Sequence, residues 1–178
     1  MNWLNTLPTS RKAWGLLALT AFLLEVTALY FQYAMGLEPC IMCIYQRTAV
    51  LGVLAAGLIG FISPSNGIFR GIGAATWGVS SIWGYMLAKE HLNMQTTTDP
   101  FAFTCDIVPN FPEFMPLHEW IPAFFAATGD CGSIDWEFIG LSMPGWMEVI
   151  FALYAISFFN CCTFYSLVFS KKVNLNAF

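Results

Sequence analysis

The chain has 178 residues, of which 57% are hydrophobic, 17% are aromatic and only 10% carry a charge. This composition excludes an ordinary soluble domain, in which about 25% of residues are charged, and the length allows one domain. The net charge is −4, and the sequence has neither the basic tract that nucleic-acid binding requires nor a glycine-rich phosphate loop.

Four apolar windows are long enough to cross a bilayer, which takes about 20 residues. They lie at about 13–31, 44–62, 68–87 and 145–169. Each must be helical, because backbone groups in hydrocarbon have to be hydrogen-bonded within the segment. The sequence therefore predicts an all-α membrane protein. We expect a single integral membrane domain over 1–178, a four-transmembrane-helix bundle with two loops on one side at about 32–43 and 88–144.

The first window follows two basic residues, Arg11 and Lys12, as a signal peptide would. It is longer than the apolar part of a signal peptide, contains Glu25 and lacks a small-x-small cleavage site at its end. We therefore expect an uncleaved membrane anchor. Glu25 is either a protonated structural carboxyl or a group that handles protons, and the sequence leaves both roles open.

The second window begins at residues 39–47, PCIMCIYQR. We call Cys40 and Cys43 the rim pair; Arg47 lies one turn deeper on the face of Cys43. Cys-x-x-Cys closes too short a loop to stabilise a fold well, whereas a helix N-terminus stabilises a thiolate. Redox chemistry is favoured, with a structural disulfide and a zinc site as alternatives. For Arg47, stabilising the thiolate and binding a polar oxygen are favoured over extension to the headgroups.

The positive charges predict the orientation. One side of the predicted bundle carries Arg11, Lys12, Arg70, Lys171 and Lys172. That side, with both termini, is therefore expected to be cytoplasmic. The opposite side is acidic and contains the rim pair and, in the 88–144 loop, Cys105 and Cys131. An even set of four cysteines in an oxidising compartment is typical of a disulfide framework.

Three further features of the sequence concern an apolar stripe, the two histidines and the last two cysteines. The 88–144 loop contains a stripe of apolar residues at helical spacing. It predicts a short amphipathic helix on the membrane surface or a core helix of a folded loop. The stripe consists of Leu117, Trp120, Ile121, Phe124 and Phe125. His91 directly follows the third window and is expected at the depth of the rim pair, whereas His118 is interpreted as structural. Cys161 and Cys162 lie inside the fourth window and are expected to pack as small apolar side chains.

The positions of the cysteines suggest an electron path. Cys105 and Cys131 lie in a water-exposed loop, where a soluble thiol protein can meet them. The rim pair lies at the bilayer surface, where a lipid-soluble acceptor can meet it. A quinone fits, because it accepts two electrons and a dithiol donates two.

The sequence resembles the bacterial DsbB family of inner-membrane oxidases. The residues that carry the resemblance are Glu25, PCIMCIYQR, Glu90-His91, Thr104-Cys105-Asp106, Gly129-Asp130-Cys131 and Met143-Pro144 with Trp146. The resemblance covers nearly the whole chain. It implies an enzyme, a quinone-dependent protein-disulfide oxidoreductase that reoxidises a DsbA-like periplasmic thioredoxin-fold protein. Its electron acceptor would be ubiquinone or menaquinone, and no metal is expected.

The resemblance also implies a role for each site residue. Cys105 and Cys131 would accept electrons from the partner, with Cys105 forming the mixed disulfide and Cys131 exchanging with Cys40. Cys43 would face the quinone ring. Arg47 and His91 would hold the quinone.

Two other interpretations remain open. One is a non-enzymatic four-helix scaffold with a disulfide-stapled outer loop. The other is a reductase running in the reverse direction, or a quinone reductase of the vitamin K epoxide reductase type. Arg47 and the rim pair argue against the scaffold, because a staple needs neither of them.

Overall fold

The computed structural model describes residues 9–97, 109–112 and 115–175, and of residues 164, 165 and 167–175 it describes the backbone alone. The described part of the chain is mostly helical. Its elements in chain order are α1 (Arg11–Tyr33), α2 (Ile41–Ile62), α3 (Gly67–Thr96), α4 (Leu117–Trp120), α5 (Pro122–Phe125), β1 (Glu137–Phe138), β2 (Leu141–Ser142) and α6 (Met143–Leu175).

Three helices of the described chain are long and apolar enough, by length and composition, to cross a membrane. They are α1, α2 and the Met143–Thr163 part of α6, and they contain most of the first, second and fourth predicted windows. The third window is also helical, within the 30 residues of α3. However, α3 is the least apolar of the four long helices, so a fourth crossing stays a prediction.

The long helices pack in a chain of neighbours, in which α2 contacts both α1 and α3, and α3 contacts α6. The core between them includes Trp14 from α1, Val53 from α2 and Phe151 from α6. The backbones of α1 and α2 come very close, because a Cβ added at Gly57 would lie 2.6 Å from the backbone nitrogen of Ala18. Small residues at such crossings are typical of helices that pack within membranes.

The helix ends define two ends of the bundle. The Arg11 guanidinium donates to the carbonyl oxygen of Ile62 at 3.2 Å, so α1 begins where α2 ends. α3 begins nearby with Asn66, whose side-chain oxygen accepts from the Ile68 N–H at 2.9 Å and caps the helix. We call the opposite end the loop end: it comprises the end of α1, the start of α2, the end of α3 and residues 115–142.

The predicted amphipathic helix at the loop end is not continuous, and this prediction is wrong. Two single turns, α4 and α5, stand in its place and are separated at Ile121, which has φ −134 and ψ 67. The cause is Pro122, because a proline has no N–H to donate and disfavours the helical conformation of the residue before it. The stripe is therefore split: Phe125 is buried, whereas Trp120 and Ile121 are exposed.

A small hairpin also corrects the all-α prediction. β1 and β2 pair antiparallel, with Glu137 opposite Ser142 and Phe138 opposite Leu141. The two-residue loop between them has positive φ at both positions, 53° at Ile139 and 76° at Gly140. Positive φ at both loop residues is the backbone that closes a tight hairpin. The hairpin leads directly into α6.

Candidate active site

The rim pair stands at the first turn of α2. Cys40 is the N-cap residue, and its sulfur accepts from the Cys43 backbone N–H at 3.3 Å. The two Sγ atoms are 2.9 Å apart and hydrogen-bonded, and both cysteines are free thiols. Since a disulfide has an S–S distance of about 2.05 Å, a shift of less than about 1 Å would join them. The pair is therefore placed for reversible oxidation.

The Cys40 thiol holds its proton firmly. Its hydrogen bond with Cys43 and its burial raise its pKa well above the ordinary value of 9.0, and contact with His91 offsets part of this rise. Because the thiolate is the nucleophile in thiol chemistry, attack by Cys40 requires a neighbouring group that receives the proton.

His91 is the neighbour that can take this proton. It lies near the end of α3, is 2% exposed, and places Nε2 at 3.5 Å from the Cys40 sulfur. Its other ring nitrogen, Nδ1, lies 3.1 Å from the side-chain amide nitrogen of Gln46. An amide has a donor end and an acceptor end, so Gln46 can hydrogen-bond either tautomer of the ring. The structure thus brings His91 to the rim pair.

Sequence reasoning did not identify Gln46 as a functional residue. The available signal was its spacing, because a residue three positions after Cys43 lies on the same helical face. An amide on that face of an otherwise apolar helix needs a polar partner. His91 is that partner.

Arg47 is buried at the loop end. Its Nη1 donates to the Gln32 side-chain oxygen at 2.9 Å and to the Phe124 carbonyl oxygen at 2.6 Å. The guanidinium also lies 4.6 Å from the centre of the Phe124 ring, and its Nε is 3.9 Å from Glu25 Oε2. The side chain is 6% exposed, and protein groups accept its hydrogen bonds, which favours a buried role over extension to the headgroups.

A cavity of about 300 Å³ connects these residues. Its polar side chains include Glu25, Gln32, Cys40, Cys43, Gln46, Arg47 and His91, and its apolar ones include Leu24, Ala28, Val50, Trp146, Met147 and Ile150. Both carboxylate oxygens of Glu25 are buried, and neither accepts a hydrogen bond from the described residues. An apolar cavity with a few convergent polar groups is the usual form of a small-molecule site.

Cys131 is packed against the start of α2 and is disulfide-bonded. The backbone N–H groups of Thr128 and Gly129 donate to the Pro39 carbonyl oxygen at 3.0 and 3.1 Å, and Cys131 joins Cys40 in one buried cluster. The predicted partner of Cys131 is Cys105. That residue, with the whole Thr104-Cys105-Asp106 motif, lies outside the described residues.

Comparison with known proteins identifies the family of the chain. The model of the family described as disulfide bond formation protein DsbB matches residues 10–161, which is most of the chain. The chain belongs to this family.

Curated members of the DsbB family support the assignment. Disulfide bond formation protein B of Pseudoalteromonas translucida is 66% identical over 92% of this chain and 95% of its own. The protein of the same name from Pseudoalteromonas atlantica is 51% identical, over 89% of this chain and 92% of its own. The one from Shewanella amazonensis is also 51% identical, over 83% and 87%. The resemblance seen in the sequence is confirmed.

Not all the cysteines and histidines of this DsbB-family chain gather at the site. His118 stacks on Phe111, with ring centroids 5.9 Å apart, and lies beside Glu119. Cys161 and Cys162 are free thiols within α6. The donor atoms of Cys40, Cys43 and His91, by contrast, all lie within 4.8 Å of one another, close enough to hold one metal ion.

Proposed function

We propose that this chain is a membrane thiol:quinone oxidoreductase. It reoxidises a periplasmic thioredoxin-fold protein of the DsbA type and passes two electrons to a membrane quinone. The observation that carries this proposal is the convergence of the rim pair, His91 and Arg47 on one cavity, with the disulfide-bonded Cys131 packed beside Cys40.

The first half of the proposed reaction moves two electrons from the partner to the loop. A partner thiolate attacks Cys105 of a Cys105–Cys131 disulfide, forming a mixed disulfide and releasing the Cys131 thiolate. The second partner thiolate then displaces Cys105, so the partner leaves as a disulfide. Exchange of this kind depends on thiolate fraction and on the leaving thiol.

The second half moves the same electrons to the rim pair. The Cys131 thiolate attacks Cys40 of the oxidised rim pair, which releases Cys43 as a thiolate. Cys105 then attacks Cys131, which reforms the loop disulfide and leaves Cys40 reduced. His91 Nε2, at 3.5 Å from the Cys40 sulfur, would exchange a proton with it, and Gln46 would hold the ring in place.

The cavity fits the headgroup of a quinone. Val50, Met147 and Ile150 give it apolar walls, and the buried Arg47 guanidinium would hold a carbonyl oxygen. A bound quinone accepts two electrons and two protons, which reoxidises the rim pair. Arg47 would stabilise the Cys43 thiolate and the charge that develops on the oxygen, as preorganised charges do in water-poor sites.

We further propose a single integral membrane domain with four crossings in the bacterial inner membrane. Both termini would be cytoplasmic and the loop end periplasmic. The basic residues Arg11 and Arg70 lie at the bundle end opposite the rim pair, as the charge rule for cytoplasmic loops requires. The cysteines would then face an oxidising compartment.

Turnover by the purified full-length protein tests the function. We expect ubiquinone or menaquinone to be consumed when a reduced DsbA-like protein is supplied, at one quinone per partner disulfide. Cys40→Ser, Cys43→Ser, Cys105→Ser and Cys131→Ser should each abolish steady turnover. The matched control, Cys161→Ser with Cys162→Ser, should leave the rate nearly unchanged.

The trapped intermediate gives a second measurement. In Cys131→Ser mixed with the oxidised partner, the Cys105 thiolate should open the partner's disulfide, releasing one partner thiolate and leaving a mixed disulfide that is visible by mass spectrometry and reversed by a reductant. Normal turnover in all four single variants would instead favour a scaffold with a stapled loop.

A further inference from the structure

We propose that the reduced rim pair and His91 form a binding site for a thiol-seeking divalent cation of the Zn²⁺ type, and that oxidation of the pair abolishes binding. The juxtaposition of two free thiols and one imidazole at the wall of the cavity carries this proposal. The binding itself is independent of the proposed function. Its consequence for turnover rests on that function.

The donor atoms have nearly the spacing that zinc requires. Zinc binds sulfur at about 2.3 Å and imidazole nitrogen at about 2.0–2.1 Å in a tetrahedron, so ligand atoms lie roughly 3.5–3.8 Å apart. The Cys40 sulfur and His91 Nε2 are already 3.5 Å apart. The two sulfurs, at 2.9 Å, would need to separate by about 0.9 Å, which a small side-chain rotation of the half-buried Cys43 supplies.

His91 has the supporting contact that metal-binding histidines usually have. Such a histidine donates its other ring N–H to a second group, which fixes the tautomer and the ring orientation. The Gln46 amide lies 3.1 Å from His91 Nδ1. The amide nitrogen of Gln46 faces Nδ1 in the structure, and a half-turn of the amide would bring its carbonyl oxygen to an Nδ1–H. The lone pair of Nε2 would then be free for the cation.

The surroundings suit a cation with one exchangeable ligand. Three protein ligands leave the fourth tetrahedral position for water, as in zinc sites that are open rather than closed. Cys40, Cys43 and His91 all line the cavity, which would hold this water. Asp130 and Asp135 line the same cavity and add negative charge that favours a cation there.

Binding of this kind would depend on the redox state. Thiolates ligate zinc, whereas a disulfide has lost both thiolates, so only the reduced pair offers the full ligand set. A bound cation would hold Cys40 and Cys43 apart and occupy the sulfurs that must form a bond. Zn²⁺ would therefore inhibit turnover reversibly, and a chelator would restore it.

Metal titration of the full-length protein in detergent tests the site without quinone or partner. We expect calorimetry to show one Zn²⁺ bound by the reduced protein and none by the oxidised protein. Cd²⁺ should produce thiolate charge-transfer absorption in the reduced form alone. His91→Ala and Gln46→Leu should each weaken binding, Gln46→Leu by about 10–100-fold. The controls, His118→Ala and Cys161→Ser with Cys162→Ser, should bind Zn²⁺ as the unchanged protein does.

Equal Zn²⁺ affinity in the two redox states would overturn the proposal, as would unchanged affinity in His91→Ala. Thermal unfolding of each variant separates loss of a ligand from loss of the fold. A protein that oxidises its partner but binds no Zn²⁺ would refute this inference alone. A protein that binds Zn²⁺ only when reduced, yet never consumes quinone, would refute only the proposed function.

Discussion

The Arg47 guanidinium occupies an apolar helix because groups from two other segments surround it. Gln32 and Glu25 come from α1, and the Phe124 carbonyl and ring come from the short α5 turn. A buried charge is costly unless it is paired and hydrogen-bonded, and these contacts meet that requirement. They also fix the position of the guanidinium at the cavity wall.

Substitution of Arg47 separates its chemical role from its structural one. Arg47→Ala should slow quinone reduction about 100-fold, the usual cost of losing a preorganised charge. Arg47→Lys keeps the charge but loses the planar guanidinium, so its rate of quinone reduction should lie between those of the unchanged protein and Arg47→Ala. Rates of quinone reduction by protein whose rim pair has been reduced beforehand check this.

Partner exchange provides the control for Arg47. Disulfide exchange between the loop cysteines and the partner should stay nearly normal in both variants. Arg70→Ala, which removes a cation from the opposite end of the bundle, should alter neither rate. Lost partner exchange with intact quinone kinetics would contradict the assignment.

The site residues differ in how far the sequence could predict them. Cys40, Cys43 and Arg47 share one helix, so their spacing alone places them on one face. Gln32 and Phe124 contact Arg47 from segments 15 and 77 residues away. Such contacts depend on how helices and loops pack. A glutamine or a phenylalanine in the sequence does not by itself indicate a contact with arginine.

The segment before Cys131 packs against the backbone that leads into the rim pair. A Cβ added at Gly129 would lie 2.3 Å from the Glu38 carbonyl oxygen and 3.3 Å from the Cys40 nitrogen. Glycine therefore permits a backbone approach that other residues forbid. The approach holds Cys131 in the buried cluster with Cys40.

Gly129→Ala should undock this segment, since the obstructing atoms belong to the backbone and cannot rotate away. We expect electron transfer between the two cysteine pairs to fall at least about tenfold, because a misplacement of about 1 Å can cost about 100-fold. Quinone reduction by a rim pair that has been reduced beforehand should persist. Stopped-flow measurement of each step distinguishes the two.

Gly132→Ala is the matched control for Gly129→Ala. Its Cβ would meet only the Asp130 side chain, at an ordinary 3.5 Å, so we expect no change in either step. A comparable loss in both variants would show that the docked backbone is not the cause.

The short elements were the least predictable from the sequence. The apolar stripe has helical spacing, but Pro122 in its middle ends the helical conformation at Ile121. The turn at Ile139 and Gly140 also lacks the usual sequence signal, since an isoleucine rarely adopts positive φ. The long helices are predictable from the sequence, because a run of about 20 apolar residues can adopt few other structures in a membrane.

At the scale of the whole molecule, Arg11 and Arg70 lie at the end of the bundle opposite the rim pair and Cys131. Reporters fused after Lys172 or within residues 63–67 should therefore lie in the cytoplasm. Reporters fused near Gln95 should lie in the periplasm. The reason is that positive loops stay cytoplasmic. Alkaline phosphatase and fluorescent protein fusions check the two outcomes, and a cytoplasmic location near Gln95 would place the cysteines in a reducing compartment.

The burial of the cysteines has a consequence for what can reach them. Cys40 is 3% exposed and Cys131 is 1% exposed, so a small thiol dissolved in water cannot touch either sulfur directly. In electrical terms, the proposed conductor is insulated at Cys40 and at Cys131. Electrons would enter only through a protein that docks and leave only into the membrane, so soluble reductants could not short-circuit the path.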